Sequence, residues 1–178
     1  MILDALLQFD AAINLAQVAG TYASTNVLDL GITSGIPSSA NGGGARDIGI
    51  GDDPTMKLLV QVTTTFTSGG AGTLAVSLQG SADNGSGTPL SFATWYTTPT
   101  YALATLVQGA RLMDMDMPRP PDGIPIPRFL RLSYAIAGAT MTAGIVEAFL
   151  VGDRMDQYYT GTNTAVMGGY PPGITVAN

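Results

Sequence analysis

Between Pro127 and Val151 the chain alternates apolar with small or polar residues in a way that only extended backbone accommodates. Leu130, Leu132, Tyr134 and Ile136 interleave with Phe129, Arg131, Ser133 and Ala135. Side chains of a strand point to opposite faces with period two, so this run predicts a strand with one strongly apolar face. The next run, Thr140 to Val151, is apolar on both faces: Ile145, Phe149 and Val151 on one, Val146 and Leu150 on the other. Such a strand is central in a sandwich or covered by another molecule. Ala137-Gly138-Ala139 between the runs is short and contains glycine, which predicts a hairpin turn. The pair is expected to form the core hairpin of an all-β domain.

The same pattern recurs upstream. Leu58, Val60, Val62, Thr64 and Phe66 fall on one face of a strand over Lys57–Thr67, with Leu59, Gln61, Thr63 and Thr65 on the other. Leu74, Val76 and Leu78 alternate with Thr73, Ala75, Ser77 and Gln79, the signature of a half-buried strand. Met113, Met115 and Met117 share a face opposite Leu112, Asp114 and Asp116. Shorter extended stretches are expected at Ser24–Leu30 and Ala45–Gly51. Between them lie the turn-rich loop Gly31–Gly44, the flexible Ser68–Gly72, the turn Asp83–Pro89 and the stiff Pro118–Pro127, which cannot carry a ladder.

About seven or eight short strands, broken by Gly and Pro and without a long helix, predict a β-sandwich or jelly roll. Residues 1–23 are expected as an N-terminal arm or short helix, since Ile2, Leu3, Leu6 and Leu7 have helical spacing and Asp4 suits a helix N-terminus. The jelly-roll domain then runs over 24–151, and 152–178, rich in Gly, Thr, Tyr and Pro, forms an extended C-terminal tail that orders only when bound.

Composition narrows function. Charged residues make up 11% of the chain, against roughly 25% in ordinary soluble domains, so much of the surface is expected to be neutral or covered. The net charge of −6, with only seven basic residues, argues against a nucleic-acid partner. No apolar run approaches the roughly 20 residues of a membrane helix, and Met1-Ile2-Leu3-Asp4 lacks the basic start of a secretory signal. With no Cys and no His, there is no thiolate, no histidine base and no zinc site of the usual ligands.

Acid–base chemistry therefore falls to carboxylates. Asp114 and Asp116 lie on one strand face, about 7 Å apart by strand rise. That spacing suits a glycosidase pair, whose carboxyl groups sit roughly 5–9.5 Å apart. The plainer reading is two solvated acids on an edge strand. Asp52-Asp53 and Asp83-Asn84-Gly85 offer oxygen ligands to calcium, but neither has the spacing of a recognised loop, so no metal or cofactor is expected. Trp95, Tyr96 and Tyr101 are either a sugar-stacking platform or core and interface anchors. Arg131 is expected to pair with an acid of a partner or with Glu147 across the hairpin. The Met113–Met117 stripe fits either an irregular partner surface or the core.

Residues as well as pattern carry a resemblance. Met1-Ile2-Leu3-Asp4, Ser24-Thr25-Asn26-Val27-Leu28-Asp29-Leu30-Gly31 and Ala45-Arg46-Asp47-Ile48-Gly49 are followed by Leu74-Ala75-Val76-Ser77-Leu78-Gln79 and Leu103-Ala104-Thr105-Leu106-Val107-Gln108-Gly109. Arg128-Phe129-Leu130-Arg131-Leu132-Ser133-Tyr134 and Thr142-Ala143-Gly144-Ile145-Val146 complete the series. In that order they are similar to a family of tailed-phage capsid cement (decoration) proteins, typified by that of a short-tailed Bordetella phage, over most of residues 1–151. Each motif alone is weak; the shared order carries the match. The longer Ile32–Gly44 loop, the Pro118–Pro127 loop and the tail after Gly152 depart from the family's pattern.

The resemblance implies a jelly-roll structural protein of the virion, made in the host cytoplasm and bound to the outer capsid surface. There it clamps neighbouring major capsid proteins as a homo-oligomer, a dimer in preference to a trimer. No enzymatic activity, nucleic-acid partner or membrane is implied. A carbohydrate-binding β-sandwich module on the virion surface is the alternative. Candidate interface residues are Ile2, Leu3, Leu6, Trp95, Tyr101, Met115, Arg131, Tyr158 and Tyr159.

Overall fold

The computed structural model describes residues 7–31, 56–124, 127–152, 159–160 and 164–165. Its strands are β1 (Gln8–Asn14), β2 (Gly20–Ala23), β3 (Leu28–Asp29), β4 (Met56–Ser68), β5 (Thr73–Ser81) and β6 (Ala93–Thr97). They continue with β7 (Tyr101–Ala102), β8 (Arg111–Asp116), β9 (Phe129–Ala137), β10 (Met141–Gly152), β11 (Tyr159–Thr160) and β12 (Thr164–Ala165). A 3-10 turn, Leu103–Thr105, lies between β7 and β8. The last two strands pair only with each other, as a small hairpin in the stretch expected to be a tail.

The remaining strands form two antiparallel sheets. The first has the order β1-β10-β4-β8. The second has the order β2-β9-β5-β6, with β3 also pairing β9 and β7 also pairing β5. In chain order the path visits first, second, first, second, second, first, second and first sheet, counting β2 with β3 and β6 with β7. That is the winding of a jelly roll, an all-β sandwich.

The physical basis is the alternation. In the β5–β9 ladder, Leu74 lies opposite Ile136, Val76 opposite Tyr134 and Leu78 opposite Leu132, and all six are buried. From the other sheet, Leu58, Val60, Val62, Val146, Ala148 and Leu150 meet them in one core. Each such aliphatic side chain contributes about 1.5–3 kcal/mol on burial. The methionine stripe joins this core: Met113 pairs with Val60 and Met115 with Leu58, and Met113 and Met117 are buried.

Three expectations change. The runs around Gly138 are not a hairpin, because β9 pairs with β5 and β10 with β4, in different sheets. The connection crosses the sandwich, and a Cβ on Gly138, at φ 81°, would meet the Ala71 carbonyl at 2.1 Å. The two crossing turns are thus pressed together. Residues Gln8–Asn14 are a strand of the first sheet rather than an arm or helix, with Phe9 buried and Leu15 just beyond it also buried. Their helical spacing ends where ladder pairing with β10 begins. Finally, Thr64 is exposed while Phe66 is buried, because register shifts between β4 and β10 reset the alternation there. The expected strand at Ala45–Gly51 and the Ile32–Gly44 loop lie outside the described residues.

The sheet edges are blunted. β1 carries two register shifts, β6 has five residues and one shift, and β2 has four residues. β8 presents Asp114 and Asp116 and is followed by Pro118. Short, bulged or charged edges resist edge-to-edge pairing.

Candidate functional site

One end of the sandwich is held by a single guanidinium. β3 delivers Asp29 just before Gly31, whose backbone N–H donates to Asp29 Oδ1 at 2.9 Å. Asp83 opens the turn to Pro89 and accepts the N–H groups of Gly85 and Gly87, each at 2.9 Å. Arg128, immediately before β9, donates Nε and Nη2 to the two oxygens of Asp29 and Nη1 to Asp83 Oδ2. The Arg128 side chain is 1% exposed.

Its pKa is raised above an already high value, first by the Asp29 hydrogen bonds, which outweigh burial. Burial pushes the Asp83 carboxyl up, but the N–H groups of Gly87 and Gly85 and the Arg128 guanidinium outweigh it and hold it below 3.8. Both carboxylates are committed to Arg128. The cluster is an anchor for three loops, and the oxygens that Asp83-Asn84-Gly85 offered to calcium include one bound to a cation of the chain itself.

A second buried tie joins the sheets. Tyr134 of β9 donates its hydroxyl to Asp10 Oδ2 of β1 at 2.7 Å, and the Thr25 N–H donates to Oδ1 at 2.7 Å. Burial, with the Asp10 charge, pushes the Tyr134 hydroxyl well above 10. A polar pair inside an apolar core fixes how one sheet sits on the other, because either partner alone would be left unsatisfied.

The residues expected at a site are scattered. Trp95 is buried against Gly80, where a Cβ would meet its ring at 2.6 Å, so it offers no stacking platform for a sugar. Tyr101 is half-buried and its hydroxyl donates to the Leu112 carbonyl at 2.7 Å. Met115 is half-buried beside the core. Asp114 and Asp116 do share an outer face, but Asp114 is bridged to Arg111 at 3.0 Å and Asp116 to Lys57.

Arg131 does not reach Glu147, which lies on the other sheet beside Gln61. It donates to Gln79 Oε1 at 2.8 Å, and its guanidinium lies 3.9 Å from the centre of the Phe92 ring. Ile2, Leu3, Leu6 and Tyr158 lie outside the described residues, and Tyr159 is in β11.

Sequence reasoning missed the Arg128 cluster. Its available signal was a lone arginine entering an apolar strand after a proline run, where a charge needs a partner once buried. What remains as surface is distinctive. The outer face of the second sheet carries Thr73, Ala75, Ser77, Gln79, Thr94, Thr97 and Ala135, with Ser133 buried among them and Arg131, stacked on Phe92, as a charged residue. At one end, Leu90 is 52% exposed beside a shallow groove lined by Ser81, Ala82, Ala93 and Ile124.

No curated protein matches the chain. The family model Bbp16, which describes a Bordetella phage protein family, matches residues 14–150. That stretch spans both sheets from the end of β1 to Leu150 of β10, including Asp29, Asp83, Arg128 and Tyr134. The jelly-roll sandwich and the Arg128 anchor described above are thus those of a phage protein, a member of the Bbp16 family.

Proposed function

We propose that this protein is a capsid cement protein, which lies on the outside of the phage head and clamps neighbouring major capsid proteins. Membership of a phage protein family supports the setting. The observation that carries the reading is the charge-poor, small-residue outer face of the second sheet, built by β2, β9, β5 and β6. Such a face loses little on desolvation and lies flush against another surface. Strands of four, nine, nine and five residues, about 4.8 Å apart, offer on the order of 400 Å². A stable contact needs roughly 800 Å² per partner. The loops beside Leu90 and Ile124 supply the remainder.

Cement function follows from additive attachment. A dimer doubles the contact points, so release requires loss of both at once. Neither buried carboxylate cluster is open to a substrate, and we propose no catalytic step.

Mixing purified protein with matching empty heads and imaging by electron microscopy tests the reading. Density is expected on the outer shell, with the second sheet facing it, and Ala75→Glu together with Ala135→Glu is expected to abolish it while leaving the fold intact. Bare shells would overturn the proposal. Light scattering of the free protein is expected to give a dimer.

A further inference from the structure

We infer that Asn84 is a site of self-modification: its turn activates the side-chain amide for ring closure onto the Gly85 nitrogen, with loss of ammonia. Asn84, Gly85 and Ser86 are all exposed, inside the turn that the Asp83–Pro89 bridge closes. Asn84 Oδ1 accepts the Ser86 backbone N–H at 2.8 Å and the Ser86 hydroxyl at 2.7 Å. These two bonds fold the Asn84 side chain back over the Gly85 peptide, which sets Cγ beside the Gly85 nitrogen. The Gly85 N–H in turn donates to Asp83 Oδ1 at 2.9 Å. A Cβ built on Gly85 would meet nothing within 4 Å, so the ring has room to form.

These contacts match what the reaction needs. Attack of the Gly85 nitrogen on Asn84 Cγ forms an N–C bond and moves the carbonyl π pair onto Oδ1. Ser86 places two donors at the oxygen where that negative charge develops, the arrangement of an oxyanion hole. The Gly85 proton leaves along its hydrogen bond to Asp83, and solvent returns a proton to Nδ2 as the Cγ–Nδ2 bond breaks. Water then opens the cyclic imide at either carbonyl, leaving aspartate or isoaspartate at position 84. Isoaspartate lengthens the backbone by one carbon. That displaces Gly85 and Gly87, whose N–H groups hold Asp83, and slackens the contact between Asp83 and Arg128. Asn14 is a built-in contrast. It makes the same turn, to the Ala16 N–H at 2.9 Å, but the next residue is the buried Leu15, whose N–H is given to the Gly144 carbonyl.

The test uses the full chain with Asn41→Gln, which removes its other Asn-Gly pair. The protein is aged in mildly alkaline buffer, cut with pepsin at acid pH and read by mass spectrometry. Conversion of amide to acid is expected at Asn84 and not at Asn14, and severalfold faster in native buffer than in urea, which abolishes the turn. Ser86→Ala is expected to slow it severalfold. An intact Asn84, equal conversion of Asn14, or equal rates in urea or in Ser86→Ala would each overturn the inference. The aged fraction carries one more negative charge and separates by anion exchange. It is expected to melt below the fresh protein, and an equal melt would overturn the link to the Arg128 anchor.

Discussion

Arg128 and Asp29 meet through two parallel hydrogen bonds, Nε to Oδ1 at 2.8 Å and Nη2 to Oδ2 at 3.0 Å. The planar fork of a guanidinium matches a carboxylate in this way, and lysine offers only a point charge. Because Arg128 also reaches Asp83, one side chain ties the strand before Gly31, the 83–89 turn and the end of the proline loop. Removing one member of a buried pair strands the other charge and costs about 3–5 kcal/mol. Arg128→Ala is expected to lower the unfolding free energy by that amount, seen as a lower urea midpoint, and Arg128→Lys is expected to recover only part of the loss. An unchanged midpoint in Arg128→Ala would contradict the anchoring role.

Asp83 sets the acid limit of the same cluster. Its folded pKa lies below 3.8, so its contribution is complete above that pH and disappears as pH falls through the lower folded value. Thermal melts of the parent from pH 6 downward are expected to lose stability progressively once pH drops below about 4. In Asp83→Asn, which is less stable at neutral pH, that part of the acid slope should be absent. Parallel slopes in the two proteins would refute the assignment.

The cross-sheet pair has the opposite sign. Tyr134 is buried with its hydroxyl on Asp10, and its pKa is raised above 10. Its contribution is therefore complete below pH 10 and is lost as pH rises beyond it, where the unfolded tyrosine ionises first. Tyr134→Phe leaves the Asp10 carboxyl with one partner fewer and is expected to cost about 1–3 kcal/mol at pH 7. Above pH 10 the parent's advantage should shrink. Denaturant titrations of both proteins at pH 7 and pH 11 measure the difference.

Gly80 and Trp95 make a fit that leaves no room for a methyl group. A Cβ at Gly80 would lie 2.6 Å from Trp95 Cε2, under any real contact distance. Gly80→Ala is expected to cost about 1–3 kcal/mol through overpacking. Trp95 is the single tryptophan, so the same variant should shift its fluorescence to longer wavelength as the ring is pushed outward. Combining Gly80→Ala with Trp95→Leu should cost less than the sum of the two changes. Full additivity would mean that the contact does not matter.

Much of the fold was legible because period-two alternation is a local property. Leu74, Val76 and Leu78 face inward, as do Leu130, Leu132, Tyr134 and Ile136, and Met113 and Met115 face the core while Asp114 and Asp116 face out. The candidate site was much less legible. From sequence Trp95 reads as a stacking platform or as a core or interface anchor, and the fold buries it against Gly80, whose missing side chain makes the room. Arg131 turned to Gln79 and Phe92 instead of Glu147, since strands adjacent in sequence entered opposite sheets.

Taken alone, the order of residues determined which stretches extend, which face of each is apolar, where turns fall, and that charged residues are few. It did not determine which sheet a strand joins: β9 and β10 alternate as a hairpin would, yet each found its partner in β5 and β4. Nor did it bring Asp29, Asp83 and Arg128 to one point. Alternation is set by the geometry of a single strand, whereas pairing and buried ion contacts are set by competition among segments distant in sequence. Only the closed sandwich settles that competition, because the winning arrangement is the one in which every strand finds both a ladder partner and a facing core.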